Sequence, residues 1–368
     1  MKILHLPRMV GNNAAMLSKG EKLNGAKESL ILVTDPPNLL NSGKADYVIA
    51  EPTRLIPYLY EFMKFCVKIH SRVDVVHYNY GKALIQCQYP FLYHLDVKYF
   101  KRKKKVIVVH YQGSDAILPS YFYKYRKYSW FTKEEVESEK NIIKEKRICK
   151  SRNSFAKYAD LIYTSQPDII SILPEGTKFR PLTKLFPDEI TPVYSDYSKD
   201  KLKIIHAPSN MTVKGTKYII DAIEMLKSDG YEIDFILIEN MKNDEAIEVY
   251  KQADLCIDQL IVGWYGGLSV ELMALGKPCF CYICEDDMRF IPEQMNIEMP
   301  IIRVEIDTLY DKLKYYLEHK EELVPIAKAS RAYVEKWHDS KKIAKDLMKD
   351  YQEVLNKKRI EKGTEDDN

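Results

Sequence analysis

Across 368 residues no apolar run approaches the ~20 residues that a membrane-spanning helix needs, and the opening MKILHLPRMVGNN lacks the apolar stretch of a secretory signal. A protein made and kept in the cytoplasm is the expectation. Charge of one sign is also missing. The 56 basic and 53 acidic residues leave a formal net charge of +3, which gives no global field for nucleic acid, so any basic function must be local. Cysteine is scarce and odd in number, seven in all. Without an export signal these read as reduced thiols rather than a disulfide framework. No repeat of solenoid period is present.

What is there is enough apolar material for more than one core: 46% of the chain is hydrophobic and 11% aromatic, which over this length predicts two domains. Short apolar runs read as fully buried strands: KILHL, SLILV at 29–33, VDVVHY at 73–78, KVIVVHY at 105–111, DLIYTS at 160–165, KLKIIHA at 201–207, DFILIE at 234–239 and DLCIDQ at 254–259. Segments of helical spacing lie between them, YIIDAIEML at 218–226 and AIEVYKQA at 246–253 among them. Such alternation predicts an α/β fold with parallel sheets. Residues 186–201, FPDEITPVYSDYSKDK, carry two prolines and little apolar periodicity, and are expected to link the domains. The polar tail EKGTEDDN reads as disordered.

His5, His77, His110 and His206 each close an apolar run, at the strand ends that face the ligand crevice in open parallel sheets. One such histidine can equally be a structural hydrogen-bonding residue. Four together predict a polar cleft.

The stretch VGWYGGLSVELMALGKP, 262–278, places Gly263, Gly266 and Gly267 between a strand and a buried helix that Gly276 and Pro278 end. Glycines let a backbone approach a ligand, and the first N–H groups of a helix form an anion site. Glu271, about one turn in, could accept hydrogen bonds from a diol such as a ribose. The alternative is a tight turn whose glutamate pairs locally. In the same half, KIIHAPSNMTVKGTKYIIDAI brings Lys214, Gly215 and Thr216 to the start of a helix. An ammonium there is unfavourable for the helix itself, which an anionic ligand would explain; a surface lysine is the other reading.

These residues resemble the GT-B glycosyltransferases of the large retaining family 4 type (glycosyl transferases group 1), many of them enzymes of bacterial and archaeal surface-polysaccharide assembly. ADLCIDQLIVGWYGGLSVELMALGKP aligns without gaps to the donor-site signature of that family. HAPSNMTVKGT and VVHYQGSDA resemble a subset of it, and HLPRMVGNNAAMLSKGEKLNGAK is similar to its first strand, glycine loop and helix. The resemblance spans most of the chain. It implies two Rossmann-like domains facing across a cleft: an acceptor-side domain at 1–188, a nucleotide-sugar-binding domain at 189–338, and a helix at 339–368 crossing back to the first domain.

By the same resemblance, Glu271 binds the nucleotide ribose, the backbone near Gly266, Gly267 and Leu268 binds the diphosphate, and Lys214 neutralises it. The loop of Gly11 and Asn12 approaches the donor from the N-terminal domain, and Asn210 lies in the loop before Lys214. His110 matches the residue that contacts the donor sugar near its reacting carbon, so His110, Lys214 and Glu271 form the expected catalytic set. Asp115, with His77, falls on the acceptor or sugar side. Two departures stand out. Gly263 occupies the place of the family's first glutamate, so sugar recognition must differ, and Asp258 and Gln259 could take over hydroxyl contacts. The basic residue that often precedes the lysine is not evident. No cofactor and no metal are expected, since the family is metal-independent and GSDA holds a lone aspartate; the nucleotide-diphosphate sugar is a co-substrate.

The predicted function is transfer of a sugar to a glycan or lipid-linked acceptor. The alternatives are a GT-B epimerase or hydrolase, and an inactive sugar-nucleotide-binding subunit. Lys98–Lys105 holds six basic residues, and YFYKYRKYSWF mixes aromatics with basic side chains. Together they suit peripheral contact with an anionic membrane on its inner face, or else a solvated helix end and core packing. CFCYIC, with Cys279, Cys281 and Cys284, reads as three thiolate ligands or as a buried strand.

Overall fold

A computed structural model of the protein describes residues 1–34, 45–49, 54–87, 89, 91–239, 241 and 243–366. In chain order the strands are β1 (Lys2–Leu6), β2 (Glu28–Val33), β3 (Tyr47–Val48), β4 (Val75–Asn79), β5 (Val106–Tyr111), β6 (Leu161–Thr164), β7 (Lys178–Phe179), β8 (Leu202–His206), β9 (Ile233–Leu237), β10 (Leu255–Ile257), β11 (Cys279–Cys281) and β12 (Ile302–Arg303). The helices are α1 (Asn13–Leu23), α2 (Leu55–Ile69), α3 (Leu95–Arg102), α4 (Pro119–Tyr125), α5 (Lys133–Glu137), α6 (Glu139–Tyr158), α7 (Met211–Lys214), α8 (Thr216–Ser228), α9 (Asn243–Lys251), α10 (Gly267–Ala274), α11 (Glu293–Ile297), α12 (Leu309–Glu318), α13 (Leu323–Trp337) and α14 (Ser340–Asp366). They form two compact units. The first comprises Met1–Leu118, Glu139–Thr183 and Ser340–Asn368, the second Pro119–Ser138 and Lys184–Asp339.

The sheet of the first unit is parallel throughout, in the order β3-β2-β1-β4-β5-β6-β7. A parallel sheet covered on both faces needs strands that are apolar along their length, and every residue of β5, VIVVHY, is buried. Helix α14 lays Ile343, Leu347, Tyr351 and Leu355 into the core of Ile3, Val75, Val106 and Val108. It comes close because α1 offers Gly20 there, where a Cβ would stand 2.6 Å from the Ser340 carbonyl oxygen.

The second unit has a parallel sheet in the order β12-β11-β10-β8-β9. Helices α8 and α12 close its core, with Ile219, Ile223 and Leu226 of the one and Leu309, Leu313 and Leu317 of the other packed on Leu202, Ile204, Leu255 and Ile257.

Three features depart from the sequence reading. Pro119–Ser138 groups with the second unit, although its neighbours on both sides in the chain belong to the first. The proline-bearing segment 186–201 is docked rather than a free linker: the nearly buried guanidinium of Arg331 donates to the carbonyls of Pro187, Ile190 and Ala274 at 2.7–2.8 Å, and Val193 donates its N–H to Leu275. The tail expected to be disordered continues α14 as far as Asp366, and residues 367–368 lie outside the described residues.

Candidate functional site

In the second unit β10 ends at Ile257, and the next two residues, Asp258 and Gln259, are buried. Both oxygens of Asp258 are engaged: Oδ2 accepts from the Gly266 N–H (2.6 Å) and from Ser269 Oγ (2.8 Å), and Oδ1 lies 3.4 Å from Lys214 Nζ. Burial alone would raise this carboxyl, but the Lys214 ammonium, the Gly266 amide and Ser269 outweigh it and hold it below its ordinary range. The aspartate therefore ties the glycine turn to the lysine. Gln259 works beside it, its Oε1 accepting from Lys214 and its Nε2 donating to the Trp264 carbonyl.

Lys214 ends the single-turn helix α7, which Asn210 caps by accepting from the Val213 N–H (3.0 Å). Gly215 then takes φ +76°, a left-handed conformation that glycine adopts without strain, and α8 begins at Thr216. The backbone of Lys214 is pinned as well, its carbonyl accepting from Leu260 N–H at 3.0 Å. At Gly266 an added Cβ would lie 3.1 Å from Lys214 Nζ and 3.3 Å from Asp258 Oδ2. Gly266 is thus the residue that lets the ammonium reach the start of α10, whose first amides, on Gly267, Leu268 and Ser269, have no partner inside the helix.

Glu271, one turn into α10, pairs with Lys184 at 3.2 Å, and both side chains are largely buried. Sequence reasoning missed Lys184: it lies outside every motif, and only the fold brings it to Glu271. Gly263, where the resemblance places a glutamate, is pressed against the next strand connection. A Cβ there would stand 2.6 Å from Cys284 Cβ, and its carbonyl accepts the Cys284 N–H. The glycine is a steric requirement of this packing.

The histidines do not line a polar cleft; all four are buried. In the second unit His206 is held between the Ile257 carbonyl and Thr216 Oγ1, each at 2.8 Å. In the first unit His5, opposite His77 in the register, lies tilted beside it with ring centroids 4.8 Å apart, and His110 stacks on His77 from 5.8 Å. Glu21 of α1 takes His5 Nε2 (2.8 Å), Tyr351 of α14 takes His77 Nδ1 (2.8 Å), and Ser165 takes His110 Nε2 (2.9 Å). Burial, then the charges of His5 and Arg180, push His110 down to about 3, and burial carries His77 well below its ordinary value too. Both rings are neutral at physiological pH.

The other residues singled out in this unit are at loops. Gly11 has φ +56° and Asn12 heads α1; the neighbouring Asn13 donates to Gln112 Oε1 at 3.0 Å, which ties this loop to the one after β5. Asp115 accepts the Gln112 N–H through both oxygens (3.0 and 3.2 Å). Burial raises its carboxyl to about 7 against the pull of local amides and Lys82.

As for metals, CFCYIC takes the buried-strand reading: Cys279–Cys281 form β11, and among the described residues Cys279, Cys281 and Cys284 do not bring their sulfurs within 4.8 Å of one another. Cys279 faces Cys256 across β10 and β11 with sulfurs 3.1 Å apart. All seven cysteines are free. Among the described residues His5, Glu21 and His77 form the one group of three ligand-type side chains whose donor atoms all lie within 4.8 Å of one another, deep in the core. Of the basic run and the aromatic segment, Lys98–Lys105 falls in the first unit and Tyr121–Phe131 in the second. Arg102, Lys103 and Lys104 are exposed, while Lys101 pairs with Asp160 at 2.6 Å. Among the described residues no helix is long and apolar enough to cross a membrane.

No family model matches the chain, and neither does any curated protein. Solved structures do. A glycosyltransferase from Rickettsia africae is 15% identical with a TM-score of 0.62, over 96% of this chain and 98% of that one. Sucrose-phosphate synthase from Thermosynechococcus elongatus is 14% identical with a TM-score of 0.58, over 97% and 100%. HepE of Anabaena, solved in complex with UDP-glucose, is 14% identical with a TM-score of 0.59, over 97% and 100%. The chain shares their two-domain α/β architecture, the GT-B fold.

Proposed function

We propose that the protein is a glycosyltransferase that moves a sugar from a nucleotide-diphosphate donor to a glycan or lipid-linked acceptor. The observation that carries this reading is the Asp258 tether, which sets the Lys214 ammonium against the Gly266 turn at the start of α10 with Glu271 one turn further on. The fold adds support: HepE, which shares it, was solved with UDP-glucose. Breaking the bond from the anomeric carbon to the diphosphate builds negative charge on the leaving oxygens, and preorganised donors lower that barrier. We assign this work to Lys214 and the amides of Gly266, Gly267 and Leu268, with Glu271 on the ribose and Lys184 orienting Glu271. Asp258, Gln259 and Asn210 are positioning residues. With the leaving group neutralised by lysine and helix amides, the reaction needs no metal, and EDTA should leave its rate unchanged. Attack from the face that the diphosphate leaves would retain configuration without a protein nucleophile, which the anomeric proton couplings of the product test.

In the first unit we keep Gly11 and Asn12 as donor-side groups and Asp115 as the acceptor or sugar group, and assign His77 and His110 to the core. Peripheral binding to an anionic membrane draws on the exposed Arg102, Lys103 and Lys104. Cosedimentation that is equal with neutral and anionic vesicles would remove it.

The first experiment is thermal shift against UDP-, GDP-, ADP- and CMP-sugars with wild type, Glu271→Ala and Lys214→Ala. One nucleotide should stabilise the wild type and neither variant. No shift with any donor would sink the reading. A second reading, an inactive sugar-nucleotide-binding subunit, is favoured by Gly263 and by the enclosed His110. It predicts the same shift with no turnover of the donor in any acceptor mixture.

A further inference from the structure

The segment Pro119–Ser138 is fastened to the second unit by specific contacts. Arg126 pairs with Asp287 at 2.6 Å, both nearly buried, and its guanidinium also lies 3.7 Å from Cys284 Sγ. Tyr128 meets Tyr282 edge to face at 5.0 Å, and Lys127 pairs with Glu305. These contacts carry Ser129 and Trp130 to one side of a cavity of about 540 Å³ whose other side is formed by α7 and the first turns of α8, including Thr212, Thr216, Tyr218 and Asp221. Trp130 is half-buried and braced by Phe122 and Phe131, with ring centroids 5.4 and 4.9 Å away.

We propose that this cavity binds a sugar ring of the acceptor, so that the acceptor is a glycan recognised through its carbohydrate. The inference rests on the transferase reading above and narrows its acceptor class. A pyranose has a face of C–H groups and a rim of hydroxyls. Trp130 and Tyr218 supply flat apolar surface for the face. Asp221 can accept from two neighbouring hydroxyls, and Ser129 and Thr212 can donate or accept around the rim. A lipid tail would meet Met211, Ile220 and Ile261 of the same lining, but it would strip water from the Asp221 carboxylate without replacing its hydrogen bonds. The cavity opens beside Lys214 in the chain, since Thr212 precedes and Thr216 follows that residue.

The test uses the full-length protein without nucleotide and the methyl glycosides of glucose, galactose, mannose and N-acetylglucosamine as probes, read by saturation-transfer NMR and by tryptophan fluorescence. Of the three tryptophans, Trp264 is buried and Trp337 is held by Glu298, so a ligand-induced change reports on Trp130. At least one glycoside should bind wild type and Trp130→Phe, and bind Trp130→Ala and Asp221→Asn about tenfold more weakly or worse. The thermal shift by nucleotide sugar should be the same in all four proteins. Glycoside binding that is equal in wild type, Trp130→Ala and Asp221→Asn would overturn the proposal. So would the absence of any glycoside signal in a protein that still shifts with nucleotide sugar, or preferential binding of decyl phosphate that Trp130→Ala abolishes. Loss of the nucleotide shift alone would fail the transferase reading and leave glycoside binding to be judged by the same variants. Trp130→Phe and Asp221→Asn keep the test decisive if Trp130→Ala does not fold.

Discussion

The two sheets put polar residues at the same place in their topology and use them in opposite ways. In the first unit His5, His77 and His110 turn into the core, and each meets one partner there, Glu21, Tyr351 and Ser165 in turn. In the second, Asp258 and Gln259 end their strand and hold a lysine and a glycine turn where a helix begins. The first arrangement buries His77 and His110 as neutral rings that are costly to charge. The second keeps an ionised pair whose partners hold backbone N–H groups in place. Standing at the carboxyl end of a strand therefore says how far along the sheet a residue lies, and says nothing of whether its side chain meets a helix or a ligand.

The largest expected effect comes from cutting the ionised arrangement. Asp258→Ala leaves the Lys214 ammonium without its carboxylate and the Gly266 turn without its acceptor, and should cost about 3 kcal/mol in urea denaturation and abolish any nucleotide-sugar shift. The matching cut in the first unit, Ser165→Ala, removes one hydrogen bond to a neutral ring and should cost ~1 kcal/mol. Equal losses would end the contrast between the units.

Acid acts next, through the buried histidines. His110, His77 and, in the second unit, His206 have lowered pKa values in the folded chain. Their contribution is whole above the unfolded value of about 6.5 and is lost as pH falls below it, because the unfolded chain then takes up protons that the folded core refuses. For His110 alone that is about 2 kcal/mol by pH 5. Asp115, raised to about 7, works the other way and gains stability over the same interval. Asp258, lowered, loses its contribution only as pH falls through the ordinary carboxylate range near 3.9. Urea denaturation at pH 7 and pH 5 should therefore show His110→Gln losing about 2 kcal/mol less than wild type over that interval. An equal change in the two proteins would refute this.

The last effect is steric. Gly263→Ala places a methyl group against Cys284 Cβ and should cost ~1–3 kcal/mol, which Cys284→Gly in the same chain should restore. If the single change is neutral, the glycine is not there for packing, and the loss of the family-like glutamate needs another cause.

The long strands were legible because a parallel sheet demands runs such as VIVVHY that no amphipathic element would carry. The two-residue strands β3, β7 and β12 were not, since so short a stretch at a sheet edge leaves no periodicity to read. At the site, the glycines, Glu271 and Lys214 could be found from a local pattern of turn, helix and charge. Lys184 could not, because its meeting with Glu271 spans 87 positions of sequence. The membership of Pro119–Ser138 was hidden for the same reason: its anchor, Arg126 with Asp287, joins residues 161 apart. Gly263 was visible as a missing side chain, but the cysteine packed against it was not, since their contact spans 21 positions of sequence.

The route of the chain through its two units has a consequence for biosynthesis. Residues 119–138 emerge from the ribosome well before 184–339, the body they dock on, so they must wait without their partner while the rest is made. Neither unit is a contiguous stretch that one cut would release: the backbone passes between them at 118/119, 138/139, 183/184 and 339/340. A truncated chain that begins at Lys184 would be born without the tryptophan wall of its own cavity.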